Sequence, residues 1–371
     1  MKYLSKSCKL LERLNKLKNK RLKMEKFSNT SRRQFLGTAA TLMSGAVLGS
    51  NNLFGFPAII RDLYKPNSLI KGVQIGLITY SFRDLPDQSA EATLKYVLDC
   101  GISAIELMGD PAETFAGRPK NPIDMRSVFP LMRKRFAKAE LTPEEKVKLA
   151  DIDAQMSAYN KEVAAWRLTA SMDKFKQVGK MYKKAGVKIY AFKPAAFGIN
   201  NSEAEIEFGM RAAKALGANQ VTVEHPSDDA HTLKLGKLAQ KHKIKIGYHG
   251  HEQQTPTFWD TALAQSPGNA LNLDFGHFIA AGNANPLDVV RQKHDRISSM
   301  HIKDRQTPAH GKGNLAWGTG DTPIADVLKL MRDQKYKFPA TIEYEYKTPE
   351  GSNPIEEVKK CLEYCKKALS S

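Results

Sequence analysis

Eight short apolar runs, at 73–80, 102–107, 187–192, 220–223, 244–248, 270–273, 297–302 and 340–344, recur along this chain, with helix-length intervals between most of them. Continuous apolar character suits strands buried on both faces, as in a parallel sheet. Gly101, Gly186 and Gly217 each stand just before or at the opening of a run, where the end of a preceding helix takes glycine most readily. Strand–helix alternation repeated eight times within about 300 residues predicts one α/β domain closed as a (β/α)8, or TIM, barrel. An open doubly wound sheet is the competing architecture, but no Gly-rich phosphate-binding turn follows the first run.

The rhythm breaks once. Between the second and third runs, residues 110–170 are polar and rich in Lys and Glu, and Leu141-Thr142-Pro143-Glu144-Glu145 has the pattern of a capped helix start. An insertion at this point leaves a barrel on the side that carries the active site, so a helical lid is expected. A solvated excursion, or a contact between copies in a homo-oligomer, is the competing reading.

A formal charge of +18 would ordinarily point to nucleic acid or an anionic membrane. Ten of those charges lie in residues 1–33, which hold twelve Lys and Arg against Glu12 and Glu25. Ser31-Arg32-Arg33-Gln34-Phe35-Leu36 then precedes a mildly apolar stretch, 37–56, with no charge. Paired arginines before such a stretch resemble a twin-arginine (Tat) export signal, and its Gly, Ala, Ser and Thr content is too polar for a stable membrane span. Residues 1–66 are therefore expected to be leader and linker, with translation starting at Met24, and 67–371 a periplasmic barrel with no nucleic-acid partner. Composition, at 42% hydrophobic and 26% charged, excludes a wholly disordered chain. Cys100, Cys361 and Cys365 make no disulfide framework and are expected to pack in the interior.

Side chains at the C-terminal ends of barrel strands line the active site. Read only there, the sequence gives Lys193 on strand three, Glu224 and His225 on strand four, and His249, His251 and Glu252 on strand five. Asp274 and His277 follow on strand six, His301, Lys303 and Asp304 on strand seven, and Glu343 and Glu345 on strand eight. Four of the nine histidines fall on three consecutive strand ends. Imidazole mixed with carboxylate, and no thiolate, suits one divalent ion such as Mn, Zn, Co or Fe.

These residues resemble the xylose isomerase-like TIM-barrel superfamily, which includes sugar phosphate isomerases/epimerases, ketose 3-epimerases, inosose dehydratases and AP endonuclease family 2. The likeness rests on residues 75–84 of strand one, Asp274-x-x-His277, His301-Ile302-Lys303-Asp304, Gly318-Thr319-Gly320-Asp321 and Ile342-Glu343-Tyr344-Glu345. It implies one divalent ion (Mn, Zn, Co, Fe or Mg) held by Asp274, His301, Glu343 and a strand-five carboxylate. This chain departs at that last position, where Glu-Asn-His becomes His249-Gly250-His251. Either His249 replaces the missing ligand or Glu224 supplies it.

An ion chelated by a sugar's carbonyl and adjacent hydroxyl acidifies the proton between them, and a base such as His251 or Glu224 then removes it. Isomerisation, epimerisation and β-elimination diverge from that step. Lys193 is a candidate oxyanion contact, His277 a candidate substrate-orienting group, and Tyr80 and Lys303 candidate substrate contacts; Lys303–Asp304 pairing at the rim is the structural alternative for the lysine. Export favours a free sugar, keto-sugar or glycoside over a sugar phosphate, and a 3-keto-glycoside lyase fits the altered strand five. The rival classes are a non-catalytic carbohydrate-binding barrel, in which Trp166, Trp259 and Trp317 would stack on sugar, and a metal phosphodiesterase of the AP endonuclease kind. The second is disfavoured because strands two and three end in Glu106 and Lys193 rather than His.

Overall fold

The structure, a computed structural model, describes residues 65–371. Residues 1–64, with nearly all of the expected export leader, lie outside the described residues. Eight parallel strands form the barrel: β1 Val73–Ile78, β2 Ala104–Met108, β3 Lys188–Lys193, β4 Gln220–Glu224, β5 Lys245–His249, β6 Asn269–Asp274, β7 Ile297–Ile302 and β8 Ala340–Ile342. Each pairs with its neighbour in sequence, and β8 pairs back onto β1. The sheet is closed, which excludes the open doubly wound alternative.

Helices alternate with the strands as expected. They are α1 Ala90–Asp99, α2 Gly109–Phe115, α3 Met125–Phe136, α4 Pro143–Thr169, α5 Met172–Lys184, α6 Glu203–Leu216, α7 Asp229–His242, α8 Asp260–Gln265, α9 Phe275–Ala280, α10 Pro286–Lys293, α11 Ile324–Asp333 and α12 Pro354–Ser370. Gly101, Gly186 and Gly217 all take the left-handed backbone of helix ends. Cys361 and Cys365 are buried on α12, and all three described cysteines are free. The tryptophans serve packing: Trp259 is fully buried with Nε1 donating to Tyr248 O, Trp166 packs edge-on against Phe208, and Trp317 against Tyr364.

The 110–170 interval is helical. Thr142 caps α4 through a reciprocal pair of bonds with Glu145, as the sequence pattern predicts. At the far end of α4, Arg167 donates to Glu205 (3.0 Å) and to Ala195 O (3.0 Å), two residues beyond the end of β3. The insertion is thus anchored on the side of the barrel where the strand C-termini emerge. No helix among the described residues is long and apolar enough to cross a membrane.

The barrel lumen is polar. Hydrogen bonds join strands that are not neighbours in the sheet: Gln220 Nε2 to Ser299 Oγ (2.8 Å), Asn272 Nδ2 to Glu106 Oε2 (3.3 Å), and Tyr190 with Thr341 (2.6 Å). Such bonds can only run through the interior. Barrel interiors are more often filled by branched aliphatic side chains, which here point outward as Ile75, Leu77, Ile105, Leu107, Val221, Ile246, Leu271 and Leu273, all buried under the helices. Gly76 makes room for Tyr190, whose hydroxyl would lie 2.8 Å from a Cβ at that position.

Candidate metal centre

The strand ends converge on Asp274. Its Oδ1 accepts from the His277 backbone N–H (2.7 Å) and caps α9, which explains the Asp-x-x-His spacing as the first turn of a helix. Its Oδ2 is buried without a hydrogen-bond partner. Around that oxygen, His249 Nε2, His277 Nε2 and His301 Nδ1 each stand 3.9 Å away. Lys303 Nζ lies 3.0 Å from it as an ion pair, outside hydrogen-bonding angles. Burial lifts the Asp274 carboxyl to about 6, against the opposing pull of Lys303.

His249, Asp274 and His301 bring one donor atom each within 4.8 Å of one another, all buried. A buried carboxylate oxygen without a hydrogen bond and ringed by imidazole nitrogens is a donor set that fits a divalent cation. His249 Nδ1 donates to Asn272 Oδ1 (2.7 Å), and burial followed by the field of Lys193 holds the ring neutral. His301 lies between two carboxylates, with Nδ1 on Glu343 Oε2 (2.9 Å) and Nε2 on Glu106 Oε2 (3.0 Å). Burial works against its charge, yet Glu106 and Glu343 raise it to about 10.

Glu343 is buried and binds both His301 and Lys303 through Oε2. Burial would raise its pKa, but Lys303 and His301 hold it well below the usual carboxylate range. Lys303, expected to face substrate, is turned inward instead. Its ammonium forms ion pairs with three buried or half-buried carboxylates, Asp274, Glu343 (2.8 Å) and Glu345 (2.6 Å). The Lys303–Asp304 rim pair does not form. Asp304 accepts from the backbone N–H groups of Gly318, Thr319, Gly320 and Thr322 and folds that loop around itself.

Glu224 stands apart from the compact donor groups. One oxygen takes Lys193 Nζ (2.8 Å) and the other His251 Nε2 (3.0 Å). Burial would raise its pKa, but the bond from His251 and the Lys193 charge bring it far below the carboxylate range, while the same bond raises His251. The His251 side chain is 54% exposed, with its ring 5.0 Å from that of His249 and 4.6 Å from that of His277. A second group, His249, His251 and His277, is also close enough to share an ion. Arg305 disfavours it: Nη1 donates to His277 Nδ1 (2.6 Å), so the His277 proton sits on Nε2. Tyr80, in the turn Thr79–Phe82, is 39% exposed and carries the Arg83 guanidinium 4.8 Å from its ring centroid.

Sequence reasoning assigned Asn272 no role and took Glu106 only as a strand end without histidine. Glu106 bonds His301 across 195 positions, and Asn272 sits inside an apolar run, between Leu271 and Leu273. The one available signal was an Asn inside the apolar run 270–273.

Gly276 holds α9 against the next strand end, and a Cβ there would lie 2.3 Å from Lys303 Cγ and 2.8 Å from Lys303 O. Because one of those atoms is backbone, Gly276→Ala is expected to cost about 1–3 kcal/mol in denaturant unfolding and to weaken divalent-ion binding. Unchanged unfolding and binding would show that α9 does not set the position of Asp274.

The model of the family described as xylose isomerase-like TIM barrel matches residues 94–368. An inosose dehydratase from Clostridium botulinum (strain Eklund 17B / Type B) is 28% identical over 162 residues, 38% of this chain and 54% of that protein. One from Clostridium perfringens (strain 13 / Type A) is 26% identical over 153 residues, 36% and 51% respectively. The chain spans about half the length of the curated relatives it matches. Among solved structures, 3-keto-D-glucoside 4-epimerase from E. coli is 12% identical with a TM-score of 0.51, covering 80% of this chain and 99% of that one. A xylose isomerase domain protein from Planctomyces limnophilus is 15% identical with a TM-score of 0.51, covering 80% and 96%. These structures support the fold.

Proposed function

Because the chain belongs to the xylose isomerase-like TIM-barrel family, we propose that it is a divalent-metal-dependent enzyme that removes the proton beside the carbonyl of a sugar or keto-sugar. The observation that carries this reading is the buried Oδ2 of Asp274, without a hydrogen-bond partner, among three imidazole nitrogens. Asp274 and His249 would hold the ion, joined by His301 on release of its Nδ1 proton to solvent as the cation replaces it beside Glu343, with Glu343 as the fourth ligand expected from the family pattern. A bound divalent cation would supply Lewis-acid stabilisation of the charge that develops on the carbonyl oxygen.

The chain's own residues then divide the work. Lys193 holds one oxygen of Glu224, which leaves the other to fix His251 Nε2–H. Nδ1 of the half-exposed His251 is thereby free to take the substrate proton, as in other imidazole bases oriented by a carboxylate. His277, with its proton on Nε2, donates a hydrogen bond to substrate. Tyr80 offers its exposed ring at the mouth, and the 110–170 helices act as a lid on the same side.

The names of the relatives are compatible with this class. Dehydratase names a loss of water, and 3-keto-D-glucoside 4-epimerase names inversion at a carbon beside a keto group; both begin well from proton removal next to a carbonyl. With Tat export to the periplasm, proposed from Ser31-Arg32-Arg33, a 3-keto-glycoside undergoing β-elimination is the favoured substrate. Metal-loaded protein is expected to exchange the proton α to the keto group of a 3-keto-glycoside with deuterium from solvent and to release the aglycone. His251→Gln is expected to lower turnover about 10²–10⁴-fold with divalent-ion affinity unchanged. Interconversion of free ketoses with 3-keto-glycosides left intact would overturn the lyase reading, and sugar binding without deuterium exchange would favour a non-catalytic barrel.

A further inference from the structure

The three histidines around Asp274 are not equivalent, and the difference comes from residues behind them. Asn272 lies on β6, fully buried, with Nδ2 donating to Ser299 Oγ (2.7 Å) and Glu106 Oε2 (3.3 Å). Rotating that amide by half a turn would set its carbonyl oxygen against the Glu106 carboxylate, so the amide has one acceptable orientation. Its Oδ1 therefore faces His249 and can only accept, which places the His249 proton on Nδ1 and leaves a lone pair on Nε2. Ser299 in turn accepts from Gln220, so the orientation is braced from β4 as well.

His277 receives the opposite instruction. Arg305 has donors only, and Nη1 reaches His277 Nδ1 at 2.6 Å, so that nitrogen carries the lone pair and Nε2 the proton. Arg305 is itself fixed by Glu252 (2.7 Å) and by Lys312 O. Both Nε2 atoms point at the same Asp274 oxygen from 3.9 Å, one with a lone pair and the other with a proton.

We infer that Asn272 and Arg305 are positioning residues that sort two neighbouring imidazoles into a metal ligand, His249, and a hydrogen-bond donor, His277. This rests on the metal site proposed above and explains how a strand-five histidine can stand where a carboxylate is usual. A carboxylate binds in any orientation, whereas an imidazole ligates only in the right tautomer, and Asn272 selects it. Outer partners of this kind commonly change metal affinity about 10–100-fold.

The test reads tautomers directly. In ¹⁵N-histidine-labelled, metal-free protein, nitrogen–carbon-proton correlation spectra are expected to show His249 as the Nδ1–H tautomer and His277 as the Nε2–H tautomer. Asn272→Ala is expected to mix the His249 tautomers and to weaken Zn²⁺ binding about 10–100-fold. Arg305→Met is expected to bring in the Nδ1–H form of His277, and Arg305→Lys, which keeps a donor, to restore the Nε2–H form. Either wild-type ring in the opposite tautomer overturns the inference, and so does wild-type Zn²⁺ affinity in Asn272→Ala. Should a variant fail to fold, the wild-type spectrum still decides. Wild-type protein with both expected tautomers but no divalent-ion binding would instead overturn the metal reading alone.

Discussion

Asp274→Asn is expected to remove divalent-ion binding while leaving the barrel folded. Asparagine caps helices about as well as aspartate, so the bond from the His277 N–H that starts α9 survives. What disappears is the negative charge on the one buried oxygen that faces His249, His277 and His301. Lys303 keeps Glu343 and Glu345 as counterions, so the substitution does not strand its ammonium. The loss of affinity should exceed the ~10–100-fold typical of outer partners, because Asp274 would touch the ion itself. Titration calorimetry with Mn²⁺ or Zn²⁺ measures this, and deuterium exchange into a 3-keto-glycoside should vanish in parallel. A variant that binds the ion within tenfold of wild type would move the metal site away from β6.

Much of this arrangement was legible in the sequence, because a (β/α)8 barrel turns linear order into position. Once the eight runs are placed, residues at the C-terminal end of each run must ring one mouth, which brings Asp274, His301 and Glu343 to the same end of the barrel without any distances, although only the family resemblance picked them out from their neighbours. The same logic failed where side chains cross the lumen. Glu106 was seen as a strand end lacking histidine, whereas its role depends on reaching His301 through the barrel interior, a contact no local pattern records. Asn272 was concealed by the apolar run that made β6 easy to find. Lys303 misled for a related reason: a lysine after a barrel strand looks like a rim residue, but three carboxylates on β6 and around the end of β8 draw it inward. Spacing reveals which residues share an end of the barrel, and charge balance decides which of them turn in.

That charge balance sets the second large effect. Lys303 is almost completely buried, and its ammonium is the common partner of Asp274, Glu343 and Glu345. Burial alone would favour the neutral amine, yet Asp274, Glu343 and Glu345 raise its pKa above the ordinary lysine value. Lys303→Met keeps most of the length of the side chain and removes the cation, leaving carboxylates buried beside one another with His301 as the remaining nearby positive group. Removing one partner of a buried ion pair costs about 3–5 kcal/mol, and metal-free Lys303→Met is expected to unfold more easily by about that amount. A divalent ion held by Asp274 and Glu343 would restore positive charge at the same carboxylates. The variant should therefore gain more from added Mn²⁺ than wild type does, since an ion that binds only the folded form stabilises it in proportion to the logarithm of its excess over Kd. Urea unfolding of both proteins with and without Mn²⁺ supplies the four numbers. If Mn²⁺ stabilises the variant no more than wild type, the ammonium and the ion do not serve the same carboxylates, and Lys303 is a structural counterion unconnected with the metal site.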